Sequence, residues 1–518
     1  MAAVARPRSA LATRVTALAS SQLVTAATLV VALVLRGRRA LLLVDFPLND
    51  GGMFYTAIQD IRAAGFALPA VLTYNGGIPF AYPPLAFYLV AGLSDATGVS
   101  TIDLLRVLPP ILSTLSVAAF IPIARRLSAS GSAAAIAVFV YAVQPSAYTW
   151  MVMGGGLTRA LGLVFALVAL AALLSFYERP RRLTFAIAAV GGALALLSHI
   201  EMAWFLAFSA ALFVVARRPS RRVIVGAGAS GACAIALAAP WWLTVLLRHG
   251  VGPFVAAATT GSLDNPVLDL LAFQRTDEPY FPLIAAAAIA GVVFHVARGR
   301  YLIPAWLVAI ALLDHRSFNA LSGLPIGILA GSVVTELIAP LFTRRHLAVA
   351  AAVAGIVYVT FSSAKADQTL HRALKPDERS AMAWVANGTP ADARFLVITQ
   401  SFWAGDRVAE WFPALTERVS VTTVQGSEWL PRATGFWPHM WSYESAQDCA
   451  DSDGDCLARF MSGSGITFDY VYLPKTAVAT AMDESDIWCC GGLRAALRHD
   501  DRYALVYDGP GATIFKRR

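Results

Sequence analysis

Long apolar stretches separated by short clusters of arginine fill the first 363 residues of this chain. A helix that crosses a bilayer needs roughly 20 mostly apolar residues. Eleven candidate stretches cover residues 16–35, 104–124, 131–150, 157–176, 183–199, 202–216, 223–247, 280–297, 301–314, 318–341 and 346–363. Only 38 of these 363 residues are charged, whereas about 25% of an ordinary soluble protein is. The sequence therefore predicts an α-helical polytopic membrane protein with about 11 transmembrane helices.

Lysine does not occur before Lys365, which excludes several functions for the membrane part. A P-loop needs a lysine after its glycines, and a Schiff base needs a lysine amine. A lysine-rich nucleic-acid surface is also absent. We therefore expect no nucleic acid partner, although the formal net charge of the whole chain is +8.

The arginine clusters indicate how these helices are oriented. Lys and Arg are enriched in cytoplasmic loops. With the N-terminus inside, one set of loops collects 16 basic residues and one acid, and the other set holds 9 Arg and 11 acids. We expect a cytoplasmic N-terminus, with the first apolar segment kept as a signal-anchor helix. The Ala- and Arg-rich composition favours a bacterial plasma membrane.

Residues 364–518 have the composition of a soluble domain. They contain 16 basic and 20 acidic residues, and an odd number of spans puts them on the outer side. A helix is predicted over 377–385 and another over 486–497. Short β-rich runs occur at 395–398, 419–424, 470–473, 503–507 and 513–515. This pattern predicts a C-terminal extracytoplasmic α/β domain after a transmembrane domain at 1–363.

Four of the five cysteines lie in the predicted outer domain. Cys449 and Cys456 are seven residues apart in an Asp- and Gly-rich loop, and Cys489 and Cys490 are adjacent. An oxidising compartment favours disulfides, up to two here. Zinc binding by these cysteines is the alternative, but the C-x2-C spacing of such sites does not recur. Cys233 lies in an apolar stretch and is interpreted as a small apolar side chain.

The first outer loop, residues 36–103, is too long and too patterned to be a simple connector. Asp50 is followed by Gly51-Gly52-Met53-Phe54-Tyr55 and an amphipathic helix that reaches Ala64. A Phe-Ala-Tyr-Pro-Pro-Leu segment that contains Tyr82 follows about thirty residues later. A carboxylate at a membrane surface can act as a general base on an acceptor hydroxyl.

This arrangement resembles the GT-C class of membrane glycosyltransferases, which take sugars from polyprenyl-phosphate donors on the outer face. The resemblance covers the topology of the whole chain and, at the level of motifs, residues 45–90. It implies that Asp50 is the catalytic base or a metal ligand, and Asp45 and Tyr82 are assigned to substrate binding. The expected partners are a lipid-linked sugar donor, membrane lipids, and a glycan, lipid or protein acceptor.

A departing phosphate needs charge stabilisation, for which the guanidinium fork is suited. The outer-side candidates are Arg159, Arg248, Arg275 and Arg316. His199 and Glu201 stand in an apolar stretch, where polar groups are costly unless they are used. They are candidates for substrate binding, or for holding Mg²⁺ or Mn²⁺ together with Asp50. A hydrogen-bonded pair at a helix end is the equally weighted alternative.

Other polar features carry open alternatives. The glycines of Met153–Arg159 either approach a phosphate or permit a tight turn. Asp314-His315-Arg316 forms a further polar cluster, and Glu336 is an acid within a predicted span. Arg36, Arg38 and Arg39 either snorkel to an interface or attract anionic lipid. The aromatic side chains between Trp403 and Trp441 either pack in a core or stack on sugars.

Two other classes of function remain open at this stage. A lipid or polysaccharide transporter would spread polar residues along the membrane midplane, whereas here they concentrate at the outer helix ends. A non-catalytic envelope-assembly protein would use the outer domain to bind a partner. A polytopic glycosyltransferase is the first hypothesis, with the sugar and the acceptor left unspecified.

Overall fold

The computed structural model describes residues 8–260, 276–366, 370–475 and 489–518. Helices occur at each of the eleven predicted apolar stretches. Other helices lie between these stretches. In the described part up to Ala364, the α-helices are α1 (Arg8–Arg38), α2 (Gly52–Ala63), α3 (Leu85–Thr97), α4 (Thr101–Leu127), α5 (Gly131–Val143), α6 (Gly156–Glu178), α7 (Arg182–Ser198), α8 (Ile200–Arg217), α9 (Arg221–Leu237), α10 (Ala239–His249), α11 (Gly252–Ala258), α12 (Leu283–Ala297), α13 (Leu302–Leu313), α14 (Phe318–Leu321), α15 (Gly323–Ser332) and α16 (Arg345–Ala364). A π-helical segment follows α1 at Arg39–Leu43, and another follows α15 at Val333–Ile338.

In the part of the chain that the structure describes, fewer than eleven helices are long and apolar enough by themselves to cross a membrane. Among the described residues, five helical segments are long and apolar enough, namely α4, α6, α8, Gly323–Leu341 and α16. The bent pair α9 and α10, with 58° between its axes, makes a sixth if it counts as one span. Helices α5, α7, α12 and α13 are apolar but shorter. The count of about eleven spans therefore stays a prediction.

The predicted first outer loop, residues 36–103, is largely ordered by local structure. The predicted amphipathic helix is confirmed as α2, whose buried face includes Phe54, Ala57 and Ile61. Strands β1 (Val71–Leu72) and β2 (Ile78–Pro79) form a short antiparallel hairpin, and α3 follows. Helix α4 then begins at Thr101, and the side chain of the preceding Ser100 accepts the Asp103 N–H and caps the helix.

The C-terminal part is built on one mixed five-stranded sheet. Its strands are β3 (Arg394–Val397), β4 (Val419–Ser420), β5 (Tyr470–Pro474), β6 (Tyr503–Asp508) and β7 (Ala512–Arg517), in the order β4-β3-β5-β7-β6. Strand β3 is parallel to β4 and β5, and β7 is antiparallel to β5 and β6. The α/β prediction and its strand positions are confirmed, except that β4 is shorter than expected.

Helices flank this sheet at both expected and unexpected positions. They are α17 (Pro376–Gly388), α18 (Arg407–Thr416), α19 (Phe436–Gln447), α20 (Gly454–Ser464) and α21 (Gly491–Leu497). Helix α17 confirms the helix predicted over 377–385. The predicted helix over 486–497 begins only at Gly491 in the described part, and residues 486–488 lie outside it. Helices α18, α19 and α20 were not predicted. Helix α19 has no clear apolar face, whereas α18 and α20 are amphipathic, so their apolar period was present in the sequence.

Both pairs of C-terminal cysteines form disulfides. Cys449 is bonded to Cys456 with their Cα atoms 5.7 Å apart, and Cys489 is bonded to Cys490. Cys233 is a free, exposed cysteine on α9, so it faces outward instead of filling the interior.

Two arginines after the first predicted span donate to main-chain oxygens of other helices. Arg36 is only 2% exposed, and its guanidinium donates to the main-chain oxygens of Ser113, Tyr141 and Ala142. Arg38 donates to the Ala364 oxygen at 2.6 Å. Arg36 therefore joins α1 to α4 and α5 inside the bundle, and neither a snorkelling position nor a lipid-facing one describes it.

Candidate active site

Asp50 lies in the tight connection between the first π-helical segment and α2. Asn49 and Gly51 on either side have φ values of 52° and 126°. The Asp50 Oδ1 accepts a hydrogen bond from the Gly155 N–H at 2.8 Å. An added Cβ at Gly155 would overlap the Asp50 carboxylate, and one at Gly154 would overlap the Asp50 main-chain oxygen. The glycines before α6 thus allow the main chain to approach this carboxylate closely.

The environment of Asp50 favours a carboxyl that can exchange a proton. Burial raises its pKa above the ordinary value of 3.8, while the Gly155 hydrogen bond and the charge of Arg159 act in the opposite direction. A base with a raised pKa binds a proton more readily than an exposed aspartate does.

Glu410, from helix α18, caps the helix that follows Asp50. Its Oε2 accepts the Gly52 N–H at 2.9 Å, and its Oε1 accepts the Met53 N–H at 3.0 Å. These N–H groups belong to the first turn of α2 and have no partner within their own helix. Burial and the nearby Asp50 raise the pKa of Glu410 to about 8. The C-terminal part thereby fixes the start of α2 next to Asp50.

Further contacts join the C-terminal part to the segment around Asp50. The Trp411 indole N–H donates to the Asn49 oxygen at 2.9 Å, and the Asn49 side chain donates to the Ala404 oxygen at 2.9 Å. The Tyr74 hydroxyl donates to the main-chain oxygen of Glu410 at 2.6 Å. The residues on both sides of Asp50 are therefore held by the C-terminal part.

A second group of polar side chains surrounds Arg159, one turn into α6. Tyr82 shares a hydrogen bond of 3.0 Å with Thr158, and its ring lies 6.1 Å from that of His199. Burial raises the pKa of Tyr82 to about 12, and Arg159, Glu201 and Arg316 also act on it electrostatically. Arg159 interacts with Asp50 as well. It therefore connects the predicted base with the other predicted site residues.

Arg316 is held in this group by its acidic neighbour. Its Nε lies 3.3 Å from the Glu201 carboxylate, and the Ser317 hydroxyl donates to the same carboxylate at 2.8 Å. Arg316 also donates to the Thr260 hydroxyl at 2.7 Å. Asp314 accepts the Ser317 N–H at 3.3 Å, and its second carboxylate oxygen is buried without a hydrogen-bond partner.

Comparison with solved structures identifies the architecture around these residues. The chain superimposes on an archaeal oligosaccharyltransferase AglB from Archaeoglobus fulgidus, in complex with an inhibitory peptide and a dolichol-phosphate, with a TM-score of 0.55 and 14% identity over 88% of this chain and 69% of that one. ArnT from Cupriavidus metallidurans in the apo state matches with a TM-score of 0.54 and 14% identity over 96% of this chain and 98% of that one. The chain has the GT-C fold.

A third structure with this fold is much longer. The arabinofuranosyltransferase AftD from Mycobacteria matches with a TM-score of 0.54 and 17% identity over 96% of this chain, which spans 41% of that one. No protein-family model matches the sequence, and no curated protein is significantly similar to it. The GT-C fold thus rests on the shape of the chain, and at these identities that similarity shows the fold alone.

Within this GT-C fold, several residues predicted for the site have other surroundings. Asp45 forms an ion pair with Arg379, with 2.6 Å between their closest atoms, and its side chain is 66% exposed. Arg248 donates to the Leu68 oxygen at 2.8 Å in the first outer loop. Arg275 lies outside the described residues. Glu336 pairs with Arg300 at 2.9 Å, at the end of the bundle away from Asp50.

The predicted metal ligands do not come together as a set. Among the described residues, no group of three or more His, Cys, Asp and Glu side chains is arranged to hold a metal ion. Glu201 is engaged with Arg316 and Ser317, and Asp50 accepts the Gly155 N–H. Asp50, His199 and Glu201 therefore do not fit the predicted Mg²⁺ or Mn²⁺ site.

Sequence reasoning did not identify Glu410, Trp411 and Glu428 as parts of this region. Glu428 acts electrostatically on Arg316, and burial raises the pKa of its carboxyl. Trp429 packs against Tyr82 with 5.4 Å between ring centroids. The dense aromatic run was the available signal, and its buried members Trp411 and Trp429 pack at the junction, whereas Trp441 is 59% exposed.

Proposed function

We propose that the protein is a membrane glycosyltransferase that transfers a sugar from a polyprenyl-phosphate donor to an envelope acceptor. The GT-C fold supports this proposal, because the structures that share it include ones with dolichol-phosphate and with undecaprenyl phosphate bound. The acceptor class stays open between a glycan, a lipid and a protein. The sugar, a hexose or a pentose, is likewise open.

The observation that carries the proposal is the partly buried carboxylate of Asp50, on which the charge of Arg159 acts. Hydrogen-bonding of Oδ1 to Gly155 orients the carboxylate. In the proposed reaction Asp50 accepts the proton of the acceptor hydroxyl while that oxygen attacks the anomeric carbon. The bond from this carbon to the donor phosphate breaks, and the polyprenyl phosphate leaves with its electron pair.

Arg159 is the arginine best suited to the departing phosphate. Arg316 is already engaged by Glu201 and Thr260. The Arg159 Nε, in contrast, is buried without a hydrogen-bond partner. A guanidinium with unused donors gains more from a phosphate than one that is already paired. We propose that Arg159 contacts the phosphate, and that Tyr82 and Glu201 line the donor site with Arg316.

We also propose the orientation and division predicted from the sequence. The Arg-rich loops then lie in the cytoplasm, and Asp50 and residues 364–518 lie outside. Asp50 and the C-terminal sheet are on the same side in this arrangement, which agrees with the Glu410 contact to α2. Residues 1–363 are proposed as the catalytic membrane domain, with an outer domain after it.

Replacement of Asp50 by Asn tests the proposal directly. The purified full-length protein in nanodiscs is given a panel of radiolabelled polyprenyl-phosphate hexoses and pentoses together with envelope extract as acceptor. We expect transfer by the wild-type protein and its loss in Asp50→Asn, with unchanged elution from a gel-filtration column. Asp95→Asn, in the same loop but paired with Arg62 at 2.7 Å, is the matched control. Full transfer by Asp50→Asn would refute the assignment of the base.

Metal dependence is a separate question. A solved structure of the Archaeoglobus fulgidus oligosaccharyltransferase contains Zn and sulfate, so a divalent cation has a precedent in this fold. Because Asp50, His199 and Glu201 do not form a ligand set here, we propose that Asp50 acts as a base without one. Transfer is then expected to persist in excess EDTA. Loss of transfer in EDTA, restored by added Mg²⁺ or Mn²⁺, would contradict this.

A further inference from the structure

A cavity of about 620 Å³ opens at the end of the bundle opposite to Asp50. It lies between the end of α4, the end of α8, the residues before α13, and α12. Helix α8 begins beside Glu201 in the candidate active site and reaches the cavity at Arg217. Its 18 residues place the cavity about 27 Å from that site. The cavity is therefore separate from the proposed sugar-transfer site.

His295 lines the cavity and has unused hydrogen-bonding capacity. Its side chain is 5% exposed, and neither ring nitrogen has a hydrogen-bond partner. The main chain of Arg300 is near the ring, but it is not placed for a well-formed hydrogen bond. A buried polar group without a partner costs free energy comparable to a lost hydrogen bond. A ligand that accepts an N–H from His295 would remove this cost.

The charges around the cavity leave a positive excess. Arg217 and Arg300 line it, and Arg300 pairs with Glu336 at 2.9 Å. Arg217 donates to Glu178 at 2.9 Å, but the same carboxylate also lies 4.0 Å from Arg126. These three guanidinium groups therefore share two carboxylates. These five groups carry one net positive charge, and two of them, Arg217 and Arg300, line the cavity.

The walls of the cavity are mainly apolar. They include Leu127, Leu212, Val215, Leu302 and Ile303, from segments that border the membrane in the predicted topology. Basic pockets between helices at the cytoplasmic side of a membrane suit anionic lipid headgroups. A free inorganic ion would leave this apolar wall exposed to water. A ligand with an acyl chain would cover the wall as well as meet the arginines.

We propose that this cavity binds a phosphate-bearing amphiphile, with the phosphate at Arg217, His295 and Arg300 and the acyl chain against Leu212 and Leu302. Arginine recognises phosphate by paired N–H donors, and histidine supplies one further donor. Such a site is distinct from a donor site at Asp50, so its occupation does not depend on the proposed transfer reaction.

The binding of a short-chain lipid to the full-length protein in an uncharged detergent tests this proposal. Isothermal titration calorimetry compares dihexanoyl phosphatidic acid with uncharged dihexanoylglycerol and with inorganic phosphate. We expect binding of the phosphatidic acid only. Equal binding of dihexanoylglycerol would overturn the role of the phosphate, and equal binding of inorganic phosphate would overturn the role of the apolar wall.

Variants locate the site. Arg300→Gln is expected to weaken binding about tenfold, since it removes one charged donor. Because this change also leaves Glu336 without its partner, His295→Leu is the second variant; it breaks no ion pair and is expected to weaken binding several-fold. Arg222→Gln makes the same change of charge on an exposed side chain outside the cavity and should bind as the wild type does. Equal weakening by Arg222→Gln, or wild-type binding by both cavity variants, would overturn the proposal.

Discussion

Glu410 caps the helix that carries the residues after Asp50, because its Oε2 accepts the Gly52 N–H at 2.9 Å. Glu410 and Gly52 are 358 positions apart in the sequence. The same carboxylate accepts the Met53 N–H, so both of its oxygens hold the first turn of α2. A carboxylate at a helix N-terminus is also favoured by the helix dipole. The C-terminal part therefore acts on the candidate active site directly and is more than an appended domain.

The first prediction concerns this cap. In Glu410→Gln one of the two N–H groups of α2 faces an amide NH2 in place of an acceptor oxygen. We expect kcat to fall about tenfold, since one of the two hydrogen bonds that hold the first turn of α2 is lost and the Asp50 segment loosens. Steady-state kinetics of sugar transfer measure this. The exposed Glu444 on α19 provides the control Glu444→Gln. A wild-type kcat in Glu410→Gln would show that the cap does not position Asp50.

The second prediction concerns the contact between Asp50 and the glycines before α6. In Gly155→Ala the new methyl group overlaps the Asp50 carboxylate and displaces it. A displacement of about 1 Å can cost about a hundredfold in rate, so we expect a loss of that order with the fold intact. Gly92→Ala on α3 meets no atom within 4 Å and should be neutral. If both variants transfer sugar equally well, the close approach of Gly155 has no catalytic importance.

The third prediction concerns pH. A general base must be ionised, so transfer is retained above the pKa of Asp50 and is lost as the pH falls through it. Burial raises this pKa above 3.8, which moves the acidic limb of the rate profile to higher pH than for an exposed aspartate. Arg159 lowers the pKa, so the limb of Arg159→Gln is expected at a still higher pH.

The pH at which this limb falls is measured from the pH dependence of kcat/KM. The measurement requires only that Arg159→Gln retain some activity. Arg248→Gln is the matched control, because Arg248 binds the Leu68 oxygen and is not among the groups that shift the pKa of Asp50. A limb that stays in place or moves to lower pH in Arg159→Gln would contradict the electrostatic effect of Arg159 on Asp50.

Some features of the site were accessible from the sequence because they are local. Asp50, the amphipathic helix after it and the Tyr82 segment follow one another in a single loop. Arg159, His199, Glu201 and Arg316 were found because charged groups in apolar stretches are rare. Their assembly around Arg159 could not be read in this way. It depends on which helices are neighbours, and hydrophobic pattern alone does not specify that.

The alternatives for single residues were also decided by tertiary contacts. The Met153–Arg159 glycines provide a donor to Asp50 instead of only a turn. Glu336, an isolated acid in the sequence, has Arg300 as its partner. Asp45, a predicted substrate ligand, is paired with Arg379. In each case the partner lies far along the chain, so a local pattern carried no information about it.

The sequence by itself determined that this chain has apolar helices, an α/β C-terminal part and a carboxylate in a patterned loop, because composition and periodicity are properties of neighbouring residues. Only the tertiary structure decided that Glu410 caps α2 beside Asp50, and that Tyr82, Arg159 and Arg316 share one site. A buried carboxylate must find hydrogen-bond donors wherever the fold supplies them. The donor to Asp50 is Gly155, 105 positions away, and the donors to Glu410 are Gly52 and Met53, 358 and 357 positions away.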